Sequence, residues 1–176
     1  MNSKLITPGF LLITGMILFA AFARLIPHPP NFTPVAALAL FGGAYFSKKW
    51  MAFLIPVAAM FLTDLIIGFH STMWSVYLSL ILIVGIGMIF IRKKKAGNII
   101  LASVTSSVLF FIVTNFAVWA AGLYYPKTSA GLVTSYIAAI PFFHYTLLGD
   151  LFFVGVMFGL YHLIVNRYPV LEKSVV

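Results

Sequence analysis

Two aspartates, Asp64 in FLTDLIIGF and Asp150 in LLGDLFFVG, stand inside long apolar runs. They are two of only three acidic residues, the third being Glu172. A carboxylate in hydrocarbon costs about 2.5–3.5 kcal/mol even on the lenient insertion scale, so it normally faces a cavity or a partner. Asn115, in FIVTNFAVW, is a third polar group in such a run. If the runs are helices, Asp64 lies about 7–8 Å from one end of its run, and Asp150 and Asn115 lie about 10 Å from the matching ends of theirs. Equal depth on three helices suits a pocket that hydrogen-bonds an organic ligand. The competing reading is a staple, in which these groups bond each other or Arg24 and only hold the helices together.

Helical spacing supplies neighbours. Ser107, Phe111, Asn115 and Trp119 form one stripe, as do Phe143, Thr146, Asp150 and Val154, and Pro56, Met60, Asp64 and Gly68. Trp119 offers a stacking surface for a flat ring; the alternative for it, as for Tyr124 and Tyr125, is the aromatic belt at a membrane interface. The proline-rich PHPPNFTP, residues 27–34, adds His28 and Asn31 as groups that a rigid loop holds over the pocket like a lid. His28, His70 and His144 are conceivable divalent-metal ligands, but they fall in separate segments with no H-x-x-x-H pairing. Interfacial or hydrogen-bonding roles suit them better, and no metal or other cofactor is implied. A two-aspartate hydrolase is a further alternative, since paired carboxylates can share a proton. No Walker A, G-x-S-x-G, G-x-G-x-x-G or H-E-x-x-H motif is present, and the chain reads as non-enzymatic.

The elements that must position these residues follow from composition. Of 176 residues, 62% are hydrophobic and only 8% charged, where soluble domains carry about a quarter charged residues. The solvent for this surface is a lipid bilayer. The pattern reads as an all-α integral membrane protein, one transmembrane domain over 1–176. Its six spans lie near 7–24, 34–47, 50–69, 74–91, 98–121 and 143–165. Residues 131–141 read as an extra external helix or re-entrant piece ending before Pro141. Cysteine is absent, which excludes disulfides and thiolate sites.

The net charge of +8 is that of a topology record rather than a nucleic-acid surface. Lys4, Lys48, Lys49, Arg92, Lys93, Lys94, Lys95, Arg167 and Lys173 fall at one set of loops and ends, and only Arg24 and Lys127 at the other. By the positive-inside rule both termini are cytoplasmic, and the pocket opens outward. Lys4, the apolar run and Ala21-Phe22-Ala23 also read as a signal peptide cleavable after residue 23, although the run is long enough to stay as a span. Ala36, Ala39 and Gly43 make a small-residue face, for packing within the bundle or for docking another membrane protein.

The stretch RLIPHPPNFTPVAALALFGGAYF, followed by TDLIIGFH, resembles a family of uncharacterised bacterial membrane proteins regarded as S-component-like transport proteins. Through it, the six-span plan is similar to the substrate-binding S components of energy-coupling-factor (ECF) vitamin transporters. The resemblance implies a multi-pass protein of the bacterial inner (cytoplasmic) membrane, with an outward cavity closed by the first, third and fifth loops. It implies uptake of a vitamin-like solute, with an ECF-type energising module as a possible partner. Asp64, Asn115, Asp150, Trp119, His28, Asn31, His144 and Arg24 are then the candidate substrate-binding residues. A structural or assembly subunit and a proton-coupled carrier are the other function classes.

Overall fold

A computed structural model describes residues 6–173 of the chain. Among them the helices are α1 (Pro8–Phe22), α2 (Val35–Tyr45), α3 (Lys49–Ile67), α4 (Met73–Phe90), α5 (Ala96–Ala121), α6 (Ser129–Arg167) and the short α7 (Pro169–Lys173). A 3-10 turn, Ala23–Leu25, extends α1. Local signals set several boundaries. Thr7 accepts the Phe10 N–H at 3.1 Å ahead of Pro8 in the first turn of α1, and Thr128 caps α6 the same way through Gly131. Gly122, at φ 67°, ends α5 in the left-handed conformation that glycine adopts without a Cβ penalty.

Five of these helices are long and apolar enough to cross a membrane, α1 with its 3-10 turn among them. Their outward residues are large and apolar, for example Phe19, Leu65, Ile66, Phe116 and Leu163. A multi-pass helical membrane protein follows. The expected second span, 34–47, is replaced by α2, whose 11 residues rise only about 16 Å against about 30 Å of hydrocarbon. Residues 34–43 are all buried, because α2 runs through the middle of the bundle and packs on α1, α3, α4, α5 and α6. A segment with no lipid face needs no lipid-spanning length.

Small residues make this enclosure possible. A Cβ placed on Gly87 of α4 would come 2.7 Å from the Leu40 carbonyl oxygen, and one on Gly42 would meet the Pro56 ring at 2.6 Å. The backbones of α2, α3 and α4 therefore approach as closely as small-residue packing in membranes allows. Ala36, Ala39 and Gly43 belong to this interior. They present no face to a partner protein, and the docking role considered for them is withdrawn.

The second correction concerns Pro141. Instead of a separate piece over 131–141 and a span over 143–165, one 39-residue helix runs through both. Packing on α5 supports it on either side of the proline. The Tyr136 hydroxyl donates to the Ile112 carbonyl at 2.8 Å, and the Phe143 ring lies 5.0 Å from that of Phe111. Neighbouring groups of this kind let a membrane helix carry an interior proline.

The bundle has two distinct ends. One carries the α2–α3 and α4–α5 connections with Lys48, Lys49 and Arg92 to Lys95, together with Arg167. There an aromatic cluster closes the core: Tyr45 and Tyr161 have ring centroids 4.1 Å apart, and the Lys94 ammonium sits 4.4 Å over Tyr45. The other end carries PHPPNFTP, the α3–α4 turn and the α5–α6 connection. Lys4 and the first residues of the signal-like segment lie outside the described residues.

Candidate functional site

The end opposite the basic cluster holds the polar groups. PHPPNFTP does not float above the bundle: Pro34 is fully buried, and Phe32 packs on Phe152 and Phe153 with centroids 5.7 and 5.6 Å away. A tight turn brings the chain down, with the Phe32 N–H donating to the Pro29 carbonyl at 3.1 Å. Asn31 stands at φ 64°, a left-handed position that asparagine tolerates better than most residues. Gly149 on α6 makes room, since a Cβ there would come 3.0 Å from the Phe32 Cα.

Beneath this loop lies a cavity of about 150 Å³ bordered by Arg24, Asn31, Thr33, Asp64, Thr146 and Asp150, with His70 at its rim. Asp64 and Asp150, on α3 and α6, are each only 4% exposed. Of the three groups expected at one level, Asp64 and Asp150 border this cavity and Asn115 does not. The surroundings of the two aspartates differ sharply. Asp64 Oδ1 pairs with Arg24 Nη2 at 2.8 Å, and its Oδ2 accepts the Tyr77 hydroxyl at 2.7 Å. Arg24 Nη1 also donates to Thr63 Oγ1, which in turn donates to the Met60 carbonyl at 2.8 Å. This is the staple reading, realised for one aspartate: α1, α3 and α4 are tied by a charge-neutral network.

Asp150 lacks such an arrangement. Its Oδ2 accepts from Ser107 Oγ on α5 at 2.6 Å. Among the described residues no cation and no second side-chain donor reaches it. Of the two readings posed by the sequence, the staple fits Asp64 and an open site fits Asp150.

A second cavity, of about 350 Å³, adjoins the first and shares Asn31, His70, Val76, Phe110 and Thr146 with it. Asn115 lines this outer compartment together with Phe111, Phe142, Phe143 and Thr114. The Asn115 amide nitrogen donates back to the Phe111 carbonyl at 2.8 Å, which leaves its amide oxygen and its second N–H able to meet a ligand.

The remaining candidates stand apart. Trp119 borders neither cavity; its indole N–H points to the Pro126 and Thr128 carbonyls at 3.1 and 3.2 Å and pins the α5–α6 connection. His28 is exposed, with Nδ1 3.0 Å from the Pro29 carbonyl. His144 is exposed and stacks on Tyr145 at 3.9 Å. His70 meets Thr72 Oγ1 at 3.2 Å. The histidines thus do not converge, and no metal-binding cluster of His, Asp or Glu occurs among the described residues.

Reading the sequence missed Tyr77, Thr63 and Thr33. Tyr77 was legible in principle: it is the one phenol in α4, and a tyrosine hydroxyl in an apolar setting normally finds an acceptor. Thr33 had no such signal, because it enters the cavity only through the inward fold of the loop.

Comparison with curated proteins and with solved structures finds no match. A family model does match, over residues 4–171, and includes every residue placed around the two cavities. The chain belongs to that family, described as a family of unknown function (DUF6580).

Proposed function

We propose that this protein is a membrane transport protein, either a substrate-binding subunit or a small importer, for a vitamin-like organic solute. One observation carries the reading: Asp150, buried and without a counter-charge among the described residues, borders a cavity large enough for an organic molecule once the two compartments are joined. A purely structural polar group in a membrane bundle is expected to be satisfied internally, as Asp64 is. The clustering of Lys48, Lys49, Arg92 to Lys95 and Arg167 at the opposite end supports an outward-facing cavity in a bacterial cytoplasmic membrane. The sequence resemblance to S components supports the solute class and makes an ECF-type module a candidate energising partner.

The test is equilibrium binding of a vitamin panel to the purified protein in nanodiscs, followed by uptake of any binder into cells expressing it. The reading predicts saturable binding that Asp150→Asn weakens, with accumulation inside the cell for a small importer. Absence of binding across the panel overturns it, and binding without uptake by cells that express this chain alone selects the subunit over the small importer.

A proton-coupled carrier is the second reading, and the same uncompensated carboxylate favours it, since a proton can serve as its counter-charge. Uptake abolished by a protonophore, at constant ATP, selects that mechanism over an ATPase-driven one.

A further inference from the structure

We infer that the ligand is an organic cation, with a positively charged nitrogen group that meets Asp150 and a flat body held among the phenylalanines of the outer compartment. The inference rests on the binding reading above and names its substrate class. Its basis is the charge around the inner cavity. Arg24 and Asp64 neutralise each other at 2.8 Å, so Arg24 does not offer a free positive site to an anion. Asp150 adds a carboxyl group, 4% exposed and bonded only by the Ser107 hydroxyl among the described side chains, whose ionised form carries a further negative charge. The amino end of α2 faces the same cavity through Val35 and Ala36. Its peptide dipoles contribute roughly half a positive charge, which offsets an ionised Asp150 only in part.

A buried carboxylate of this kind is held at a cost that a cation at hydrogen-bonding distance relieves. A neutral or anionic ligand leaves that cost in place or raises it. The outer compartment selects the rest of the molecule. Phe110, Phe111 and Phe143 border it, with Thr72, Ser75, Thr114 and Asn115 among its polar groups. Aromatic walls with a few hydrogen-bonding positions accept a planar ring with polar edges, and their π faces add attraction for a delocalised cation. Asn31, His70, Val76, Phe110 and Thr146 border both compartments, and the inferred ligand reaches across this shared boundary.

Three planar probes of nearly equal shape separate the possibilities: benzamidine, a cation; benzamide, its neutral counterpart; and benzoate, an anion. Ligand-observed NMR titration of each against the full-length protein in nanodiscs reads the preference directly. The expected result is benzamidine binding about tenfold or more tighter than benzamide, the scale of a charge-assisted hydrogen bond over a neutral one, with benzoate weakest. Asp150→Asn keeps the side-chain shape and an acceptor for Ser107, and it is expected to reduce the benzamidine-to-benzamide ratio to about one.

Equal binding of the three probes to the wild-type protein, a preference for benzoate, or no binding of any probe overturns the inference. So does an Asp150→Asn variant that folds and keeps the preference. The wild-type ranking stands as a test even where that variant fails to fold. A neutral or anionic vitamin that is bound and transported removes the cation inference and leaves the transport reading intact. Benzamidine selectivity with no binding across the vitamin panel does the reverse.

Discussion

At the scale of single residues, the two intramembrane aspartates separate by what surrounds them. Asp64 is half of a buried ion pair, and removing one partner strands the other charge. Arg24→Ala or Asp64→Ala is therefore expected to destabilise the protein by about 3–5 kcal/mol, seen as a lower thermal midpoint and loss of the monodisperse peak in detergent. The double replacement Arg24→Met with Asp64→Leu recovers much of that loss, because it removes both charges together. Asp150→Asn is expected to change the midpoint little. Trp119→Phe loses the bonds that pin the α5–α6 connection, costs about 1 kcal/mol, and leaves ligand binding unchanged. Asp64, Asp150 and Asn115 were readable as site candidates because polar atoms in apolar runs carry a physical cost visible in one dimension. The division of roles between the aspartates was not readable, since it depends on Tyr77 and Ser107 arriving from other helices. Histidine chemistry gave equal weight to His28, His70 and His144, and only the folded loops place His70 alone at the cavity.

At the scale of elements, glycines decide which helices can touch. Gly87→Ala drives a Cβ into the backbone of α2, and overpacking of this sort costs about 1–3 kcal/mol. Gly85→Ala, two residues earlier on the same helix, meets nothing within 4 Å and is expected to show only the small gain of helix propensity. Comparing the thermal midpoints of the two variants isolates the α2–α4 contact from helix propensity. Gly149→Ala pushes on the backbone at Phe32 and Thr33 and should loosen the inward-folded loop. Faster proteolysis between α1 and α2, with Gly155→Ala as the unaffected control, would show it. Apolar runs of span length made α1, α3, α4 and α5 legible in the sequence. The same signal misled for α2, and for α6 it found the span but not the helix that continues through Pro141. Hydropathy does not distinguish a segment facing lipid from one enclosed by protein, and a proline that ends helices in water is accommodated here by contacts with α5.

At the scale of the whole molecule, the cluster of Lys48, Lys49, Arg92 to Lys95 and Arg167 lies at the end opposite the polar cavity, and the positive-inside rule predicts an orientation from that polarity. The chain has no cysteine, so single introduced thiols report cleanly. Ser71→Cys, in the α3–α4 turn, is expected to react with a membrane-impermeant maleimide added to intact cells. Ser47→Cys, in the α2–α3 connection, should react only after the membrane is opened. The reverse pattern would place the cavity on the cytoplasmic side.

The enclosed position of α2 bears on how the molecule is made. α2 leaves the ribosome before α3, α4, α5 and α6 exist to cover it. During synthesis the short, alanine- and glycine-rich segment must wait beside lipid or within the insertion machinery. α6 is the last long helix to arrive, and it brings Phe158 and Tyr161 over Phe41 and Tyr45. Maturation of this protein therefore has a late closing step, and a nascent chain stalled before α6 exposes the aromatic seam that membrane quality-control proteases would meet.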